Sequence, residues 1–263
     1  MAVTTWEGRP AWLSKLRAFG KADRRQAVLQ LVNTLVPYGV LWAAMIVSIR
    51  QGWSPLITVA LAIVAAAFLI RIFIIFHDCC HGSFFASRRA NRIWGTITGI
   101  FTLTPYDDWR LSHARHHATA GDLDSRGTGD VETMTVAEYR AAPPLKRLGY
   151  RLYRHPLVMF GLGPWLSFVI SPRFAGKDTD PRARRSIILT NVILLALLAV
   201  AWATIGVGTF LVLQLGILWF AGIFGIWLFY VQHQFAEVYW ARHEAWQPLA
   251  AAMAGSSHYD LPP

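Results

Sequence analysis

The sequence predicts an all-α, multi-pass membrane protein with about four transmembrane helices and one or two further helices at the membrane interface. Two features of the composition favour this fold class. Only 15% of the 263 residues are charged, against about a quarter in a soluble domain, and 54% are hydrophobic. The third observation is length, because several apolar runs reach the roughly 20 residues that a helix needs to cross a bilayer.

Four apolar runs are long enough to span. They cover about 27–49, 55–76, 186–203 and 210–230. None shows the strict alternation of an outer-membrane barrel strand, so each is expected to be a helix, which satisfies its own backbone hydrogen bonds in lipid. Arg71 lies in the second run close to its cytoplasmic end, and we expect its side chain to reach the headgroups.

The positive charge is distributed as in a membrane protein rather than a nucleic-acid-binding protein. Of the 25 lysines and arginines, six precede the first run and 16 lie between the second and third runs, whereas the turn between the first two runs holds only Arg50. Basic loops stay on the cytoplasmic side. The N-terminal basic tail (1–26), the long loop and the C-terminus are therefore predicted to be cytoplasmic, and no nucleic acid is expected as a partner.

Two shorter apolar segments are predicted to lie at the interface. Ile93–Leu103 is too short to cross a bilayer. His155–Phe174 is broken by glycine and proline and has basic residues on both flanks, which favours an interfacial helix over a fifth span. The chain shows neither a secretory signal nor an internal repeat, and we expect one domain over 1–263.

Six of the nine histidines form a pattern. They are His77 and His81; His113, His116 and His117; and His233. Residues three and four apart share one face of a helix, so each of the first two groups can direct its imidazoles to one side. In the predicted topology all six lie at cytoplasmic span ends or in the cytoplasmic loop.

This pattern predicts a metal-binding cap on the cytoplasmic side. Neutral imidazole is a common ligand for zinc, copper, iron and nickel. Six imidazoles exceed the four ligands of a structural zinc and suit two metals at one cavity. The other three histidines, His155, His243 and His258, are expected to be surface or capping residues.

Acidic and thiol side chains lie beside the histidines. Asp78 points about 100° away from His77 on a helix, so it is expected to hydrogen-bond a ligand histidine rather than to bind metal itself. Asp107 and Asp108 are either similar partners or solvated loop acids. Cys79 and Cys80, the only cysteines, are expected to be packing residues, since adjacent cysteines give no disulfide framework.

Several segments carry a resemblance. They are HDCCHGSFF, HARHHATAGDLDSRGTGDVETMTVAEY, PLVMFGLGP and YVQHQFAEVYW. Together, from Phe76 to Trp240, the chain resembles the membrane-bound fatty acid desaturases, and within them the acyl-lipid type. The resemblance rests on the motifs HxxxH and HxxHH, which occur in that order together with the non-histidine segments quoted above.

The resemblance implies a four-span fold with a cytoplasmic di-iron site. It implies the O2-dependent removal of two hydrogens from a long acyl chain, with an acyl lipid as the substrate. It also implies that a ferredoxin or a cytochrome donates the electrons and that the protein lies in a bacterial inner membrane. An unactivated methylene has no acidic proton, so metal and oxygen must supply this chemistry. By position the catalytic residues are His77, His81, His113, His116 and His117; the metal ligands are these five and His233.

One departure concerns the third histidine box of that family. No second HxxHH follows the last span, and the sequence ends on SSHYDLPP. We therefore expect a fragment or a C-terminally truncated chain. The alternatives are a hydroxylase or ketolase of the same superfamily, or an inactive metal-binding remnant. A transporter is disfavoured, because spans one, three and four lack Asp, Glu, His, Lys and Arg. Double-bond position, acyl carrier and oligomeric state stay open.

Overall fold

A computed structural model describes residues 12–16, 20–127 and 129–258. Parts of the predicted basic tail (1–11 and 17–19) and the final residues 259–263 lie outside these ranges. The α-helices are α1 (Leu13–Leu16), α2 (Arg24–Arg50), α3 (Pro55–His81), α4 (Arg88–Phe101), α5 (Tyr106–Thr119), α6 (Val136–Ala141), α7 (Pro144–Tyr153), α8 (Pro181–Thr204), α9 (Val207–His233) and α10 (Pro248–Ala254). Within the described ranges the β-structure is one isolated bridge, between Asp122 and Ala241.

Four helices, α2, α3, α8 and α9, are long and apolar enough to cross a membrane. They confirm the predicted all-α fold with four spans, and each contains one predicted run. The helices extend beyond the runs; α3, for example, continues to His81 where the apolar run ends at Phe76. Hydropathy marks where lipid exposure stops, whereas the helix continues for as long as its backbone hydrogen bonds can form.

Local sequence signals set the helix ends. The Asp23 carboxylate accepts hydrogen bonds from the backbone N–H groups of Arg25 and Gln26, and Asp180 caps α8 in the same way. Such a cap contributes about 1 kcal/mol. Gly82 ends α3 in the left-handed region, at φ 72°, where residues with a Cβ are strained.

The shorter apolar segments are also helical. The helix α4 covers most of the segment predicted at 93–103. The segment predicted at 155–174 forms two π-helical stretches, Leu157–Leu162 and Trp165–Ile170, followed by a 3-10 turn. This apolar helix is shorter than the four spans. Its location at the membrane interface stays a prediction.

The chain divides into two compact units, each of which is described separately. The larger unit comprises Gly20–Arg110 and Phe160–Gly225. Its main core lies between α2, α3 and α9, where Met45, Ile72 and Ile217 are fully buried. Polar bonds supplement this packing: the Gln214 amide donates to the Phe101 carbonyl, and Arg71 donates to the Asn33 side chain 3.0 Å away.

The smaller unit comprises Leu111–Met159 and the chain from Ile226 onward, together with the described N-terminal residues. Its loop between α5 and α6 pairs with the segment before α10: the Leu123 backbone N–H donates to the Ala241 carbonyl, and the Ala241 N–H donates to the Gly121 carbonyl. Ion pairs strengthen the same region. Arg126 donates two hydrogen bonds to Glu138, which hold the pKa of that carboxyl well below its usual range.

Candidate metal centre

His77 and His81 lie on the last turn of α3, in the larger unit. Their side chains are one helical turn apart, and the two Nε2 atoms are separated by 3.2 Å. Because Gly82 ends the helix directly after His81, the pair lies where the span gives way to a loop. The spacing that the sequence indicated therefore brings these two imidazoles together.

Asp78 contacts His77 on the side away from His81. Its Oδ1 atom lies 3.0 Å from Nδ1 of His77. A carboxylate accepts a hydrogen bond, so this contact places the proton on Nδ1 and leaves Nε2 of His77 with a lone pair, as metal binding requires. The Trp109 ring packs against the same imidazole, at 5.8 Å between centroids. The geometry fits the orienting role predicted for Asp78.

A second histidine pair lies on α5, in the smaller unit. Nε2 of His113 and Nε2 of His117 are 3.0 Å apart. Each of these two residues, like His77 and His81, offers a ring nitrogen as a ligand atom. An i, i+4 spacing on a continuous helix again brings the two imidazoles together, as predicted.

His116 differs from its neighbours, because it is buried and paired with a carboxylate. Nδ1 of His116 lies 2.7 Å from Oδ1 of Asp130, although the N–H direction is not that of a regular hydrogen bond. The loop approaches closely here: Gly129 has φ 74°, and a Cβ on it would lie 3.2 Å from Cβ of His116. A larger residue at position 129 would push the loop away from His116 and disrupt the contact between His116 and Asp130.

Asp130 is the functional candidate that the sequence did not indicate. It ends the Gly- and Asp-rich stretch GDLDSRGTGD, which predicts an ordered loop without saying which carboxylate turns inward. The aspartates of that stretch have separate partners, since Asp122 and Asp124 contact His243 while Asp130 contacts His116. The one available signal was position, as Asp130 is the last residue of that stretch.

His233 ends α9 and lies beside His116, with ring centroids 5.3 Å apart. Its Nδ1 atom is 3.0 Å from the Gly255 carbonyl oxygen. A carbonyl can only accept, so Nδ1 carries the proton and Nε2 is the basic nitrogen. A small cavity of about 20 Å³ borders His116, Asp130 and His233.

The remaining candidates have other partners. Asp107 is buried, and its carboxylate lies 2.6 Å from the Arg92 guanidinium, so it is not a solvated loop acid. Burial raises the pKa of Asp108. Both cysteines are free thiols, and Cys79 is fully buried against Phe76 and Tyr106, as expected of a packing residue.

His243 and His155 contact residues other than the patterned histidines. Nδ1 of His243 is 2.8 Å from Oδ2 of the buried Asp122, and this hydrogen bond raises the pKa of the exposed imidazole. Burial opposes ionisation of Asp122, but hydrogen bonds from His243, Asp124 and Ser125 outweigh it and lower its pKa. Nδ1 of His155 accepts from the Leu157 backbone N–H. Both are surface residues, as expected.

The donor set fits first-row transition metals. Two nitrogens at about 2.1 Å from one ion, 90–110° apart, are separated by roughly 3.0–3.4 Å. The Nε2 distances within the pairs on α3 and α5, 3.2 and 3.0 Å, match this separation. The contacts of Asp78 and Gly255 leave Nε2 of their partner histidines basic.

Comparison with known proteins gives a consistent result. The family model described as fatty acid desaturase matches residues 51–260. The chain is 45% identical over 248 residues to the fatty acid desaturase of Bacillus subtilis (strain 168), covering 94% of this chain and 70% of that protein.

More distant relatives come from cyanobacteria and plants. The sn-1 acyl-lipid omega-3 desaturase (ferredoxin) of Nostoc sp. (strain 36) is 27% identical over 70% of this chain, and the chloroplastic omega-6 fatty acid desaturase of Brassica napus is 26% identical over 72%. The chain spans 52% and 42% of these two relatives. The extent of the family match and the identity to the Bacillus protein show that this chain belongs to the fatty acid desaturase family.

Proposed function

We propose that this chain carries the di-iron centre of an O2-dependent desaturase that introduces a double bond into a long acyl chain of a membrane lipid. The observation that carries the proposal is the repeated i, i+4 histidine pair. It occurs once at the end of a span, as His77 and His81, and once on α5, as His113 and His117. Family membership supplies the chemical class, since the matched relatives are desaturases.

In this proposal six imidazoles hold the metal, in one family domain over 1–263. They are His77, His81, His113, His116, His117 and His233. Bound iron would supply the oxidising power that acid–base side chains lack towards an unactivated methylene. The carboxylates act through the imidazoles: Asp78 orients His77, and Asp130 lies against Nδ1 of His116.

The apolar substrate and the electron donor follow from the same proposal. An acyl chain reaches a site at a span end directly from the bilayer, so no water-filled entry route is needed. The name of the Nostoc relative, sn-1 acyl-lipid omega-3 desaturase (ferredoxin), specifies an acyl lipid and ferredoxin. We accordingly propose an acyl-lipid substrate, a ferredoxin-type donor and a bacterial inner membrane with both termini cytoplasmic.

The test uses the protein in membranes or nanodiscs, with a saturated acyl lipid, O2, ferredoxin and its reductase. We expect iron to copurify at about two per chain and a monounsaturated product to form. His116→Ala should lose iron and abolish product, whereas His155→Ala, a surface histidine, should retain both. Retention of iron and turnover in His116→Ala contradicts the ligand assignment.

The reaction type is tested separately by product analysis. Gas chromatography with mass spectrometry distinguishes an alkene, two mass units lighter than the substrate, from a hydroxylated product that is sixteen units heavier. An alkene supports desaturation. A hydroxylated or keto product instead assigns the chain to the oxygen-inserting branch, and bound iron without any product assigns it to a metal-binding remnant.

A further inference from the structure

The helix α7 (Pro144–Tyr153) presents an apolar face that the smaller unit leaves uncovered. Leu145, Leu148 and Leu152 recur at spacings of three and four residues, so they share one face. Their exposed fractions are 80%, 51% and 53%. Three leucines in one stripe differ from the scattered exposed apolar residues of an ordinary protein surface.

Two tyrosines outside the leucine stripe bond α7 to the segment before α6. The Tyr150 hydroxyl accepts a hydrogen bond from the Met134 backbone N–H, at 3.2 Å, and the Tyr153 hydroxyl accepts from that of Glu132, at 3.3 Å. These contacts fix the rotation of α7 about its own axis. The leucine stripe therefore faces outward as a consequence of the fold.

The C-terminal end of α7 is tied to the end of the last span. Arg154, its C-cap residue, donates to the Tyr230 hydroxyl at 3.1 Å and to the Gln234 side chain at 2.9 Å. Tyr230 lies in the final turn of α9, and tyrosine is enriched where spans meet the headgroups. This places α7 at the depth of the membrane surface.

An open groove of about 630 Å³ runs between α6 and α7. Arg140 and Arg151 line it, both are exposed, and neither is paired with a carboxylate in the described part of the chain. Its lining also includes Met134 and Tyr139, and it includes no aspartate or glutamate. The groove thus combines uncompensated positive charge with apolar walls.

We propose that α7 and this groove form a binding surface for an anionic phospholipid, with the leucine stripe in the upper acyl region and Arg140 and Arg151 on the headgroup phosphate. Guanidinium groups pair well with phosphate oxygens. An acidic soluble protein would match the arginines but not three adjacent exposed leucines. The residues that line the groove include His155 but none of the six histidines proposed as metal ligands, and the proposal does not depend on the desaturation chemistry.

The test compares lipid retention by native mass spectrometry in a neutral detergent, with phosphatidylglycerol and phosphatidylcholine of equal chain length as probes. Each arginine near an anionic surface contributes about 1 kcal/mol, so Arg140→Gln/Arg151→Gln should weaken phosphatidylglycerol binding by roughly 10- to 30-fold. Binding of phosphatidylcholine should change little. Arg182→Gln/Arg185→Gln removes two exposed arginines from α8 and should keep the preference.

Amide hydrogen exchange gives a second measurement on the unmodified protein. Peptides covering α7 should exchange more slowly in nanodiscs containing phosphatidylglycerol than in nanodiscs of phosphatidylcholine alone. The proposal is overturned if both lipids bind the unmodified chain equally, or if the two double variants lose binding to the same extent. It is also overturned if Arg140→Gln/Arg151→Gln keeps its lipid preference but loses binding to ferredoxin.

Discussion

Asp130 Oδ1 lies 2.7 Å from Nδ1 of His116, and both side chains are almost fully buried. A carboxylate at this position favours the tautomer whose basic nitrogen is Nε2 and strengthens that nitrogen as a ligand. The pair therefore connects a loop residue to the proposed metal site without the loop supplying a ligand.

Asp130→Asn preserves the shape of this side chain and removes its charge. We expect metal affinity to fall by about 10- to 100-fold, as is typical when the partner of a ligand histidine is replaced. The measurement is iron retained per chain during titration with a competing chelator. Asp178→Asn, an exposed aspartate, provides the control. Equal iron affinity in the unmodified protein and Asp130→Asn would exclude the orienting role.

Gly82→Ala tests the end of the helix that carries His77 and His81. Because Gly82 has φ 72°, an alanine there should cost about 1–2 kcal/mol of unfolding free energy. Gly149→Ala, inside α7 with open space around it, should be neutral or slightly stabilising. Thermal unfolding in detergent gives the comparison, and equal melting temperatures for the two variants would contradict the proposed cause.

Asn91 holds the loop between α3 and α4. Its side chain accepts from the Phe85 backbone N–H at 2.8 Å and donates to the Phe85 carbonyl at 2.6 Å. Asn91→Ala leaves two buried backbone groups unpaired, so we expect a loss of about 2 kcal/mol or more in unfolding free energy. Gln26→Ala removes an exposed amide and should change stability little. A similar loss in both variants would refute this explanation.

The contact between His243 and Asp122 should make the loop pairing depend on pH. The folded pKa of His243 is raised above 6.5, so its contribution is fully present below pH 6.5 and is lost as the pH rises through the folded pKa. The folded pKa of Asp122 is lowered below 3.8, so its contribution is present above pH 3.8 and is lost as the pH falls through that lowered value.

Stability of this contact is therefore greatest between about pH 4 and pH 6.5. The amide protons of Leu123 and Ala241 report on it, since both are bonded across the pairing. After correction for intrinsic exchange, we expect stronger protection at pH 5.5 than at pH 8.5. His243→Gln should remove the difference and His155→Gln should preserve it. A pH response that persists in His243→Gln would assign the effect to other groups.

Some features were predictable because they depend on residues close together in the sequence. The four spans follow from apolar length, and the pairs His77–His81 and His113–His117 follow from helical periodicity. Asp78 is adjacent to His77, so its contact required only a helix. These predictions need no knowledge of how the chain folds back on itself.

Other contacts depend on the path of loops and were not predictable. Asp130 contacts His116 only because the loop after α5 returns to that helix. Asp107 on α5 forms an ion pair with Arg92 on α4. The apolar run ends at Phe76 and α3 ends at His81, because hydropathy locates the lipid-exposed part of a helix rather than its last residue. The orientation of α7 depends on hydrogen bonds made by Tyr150 and Tyr153, which hydrophobic periodicity alone does not specify.

The hydrogen bond from His233 to Gly255 has a consequence for how this protein tolerates sequence change. The acceptor belongs to the main chain, so it does not depend on the identity of an exposed side chain such as that of Met253. Replacement is restricted at Ala250 and Ala251, which are buried, and at Gly255, where a Cβ would meet the Ala251 carbonyl. The removal or addition of one residue in α10 would move the accepting carbonyl, so this segment tolerates exposed substitutions better than changes in length.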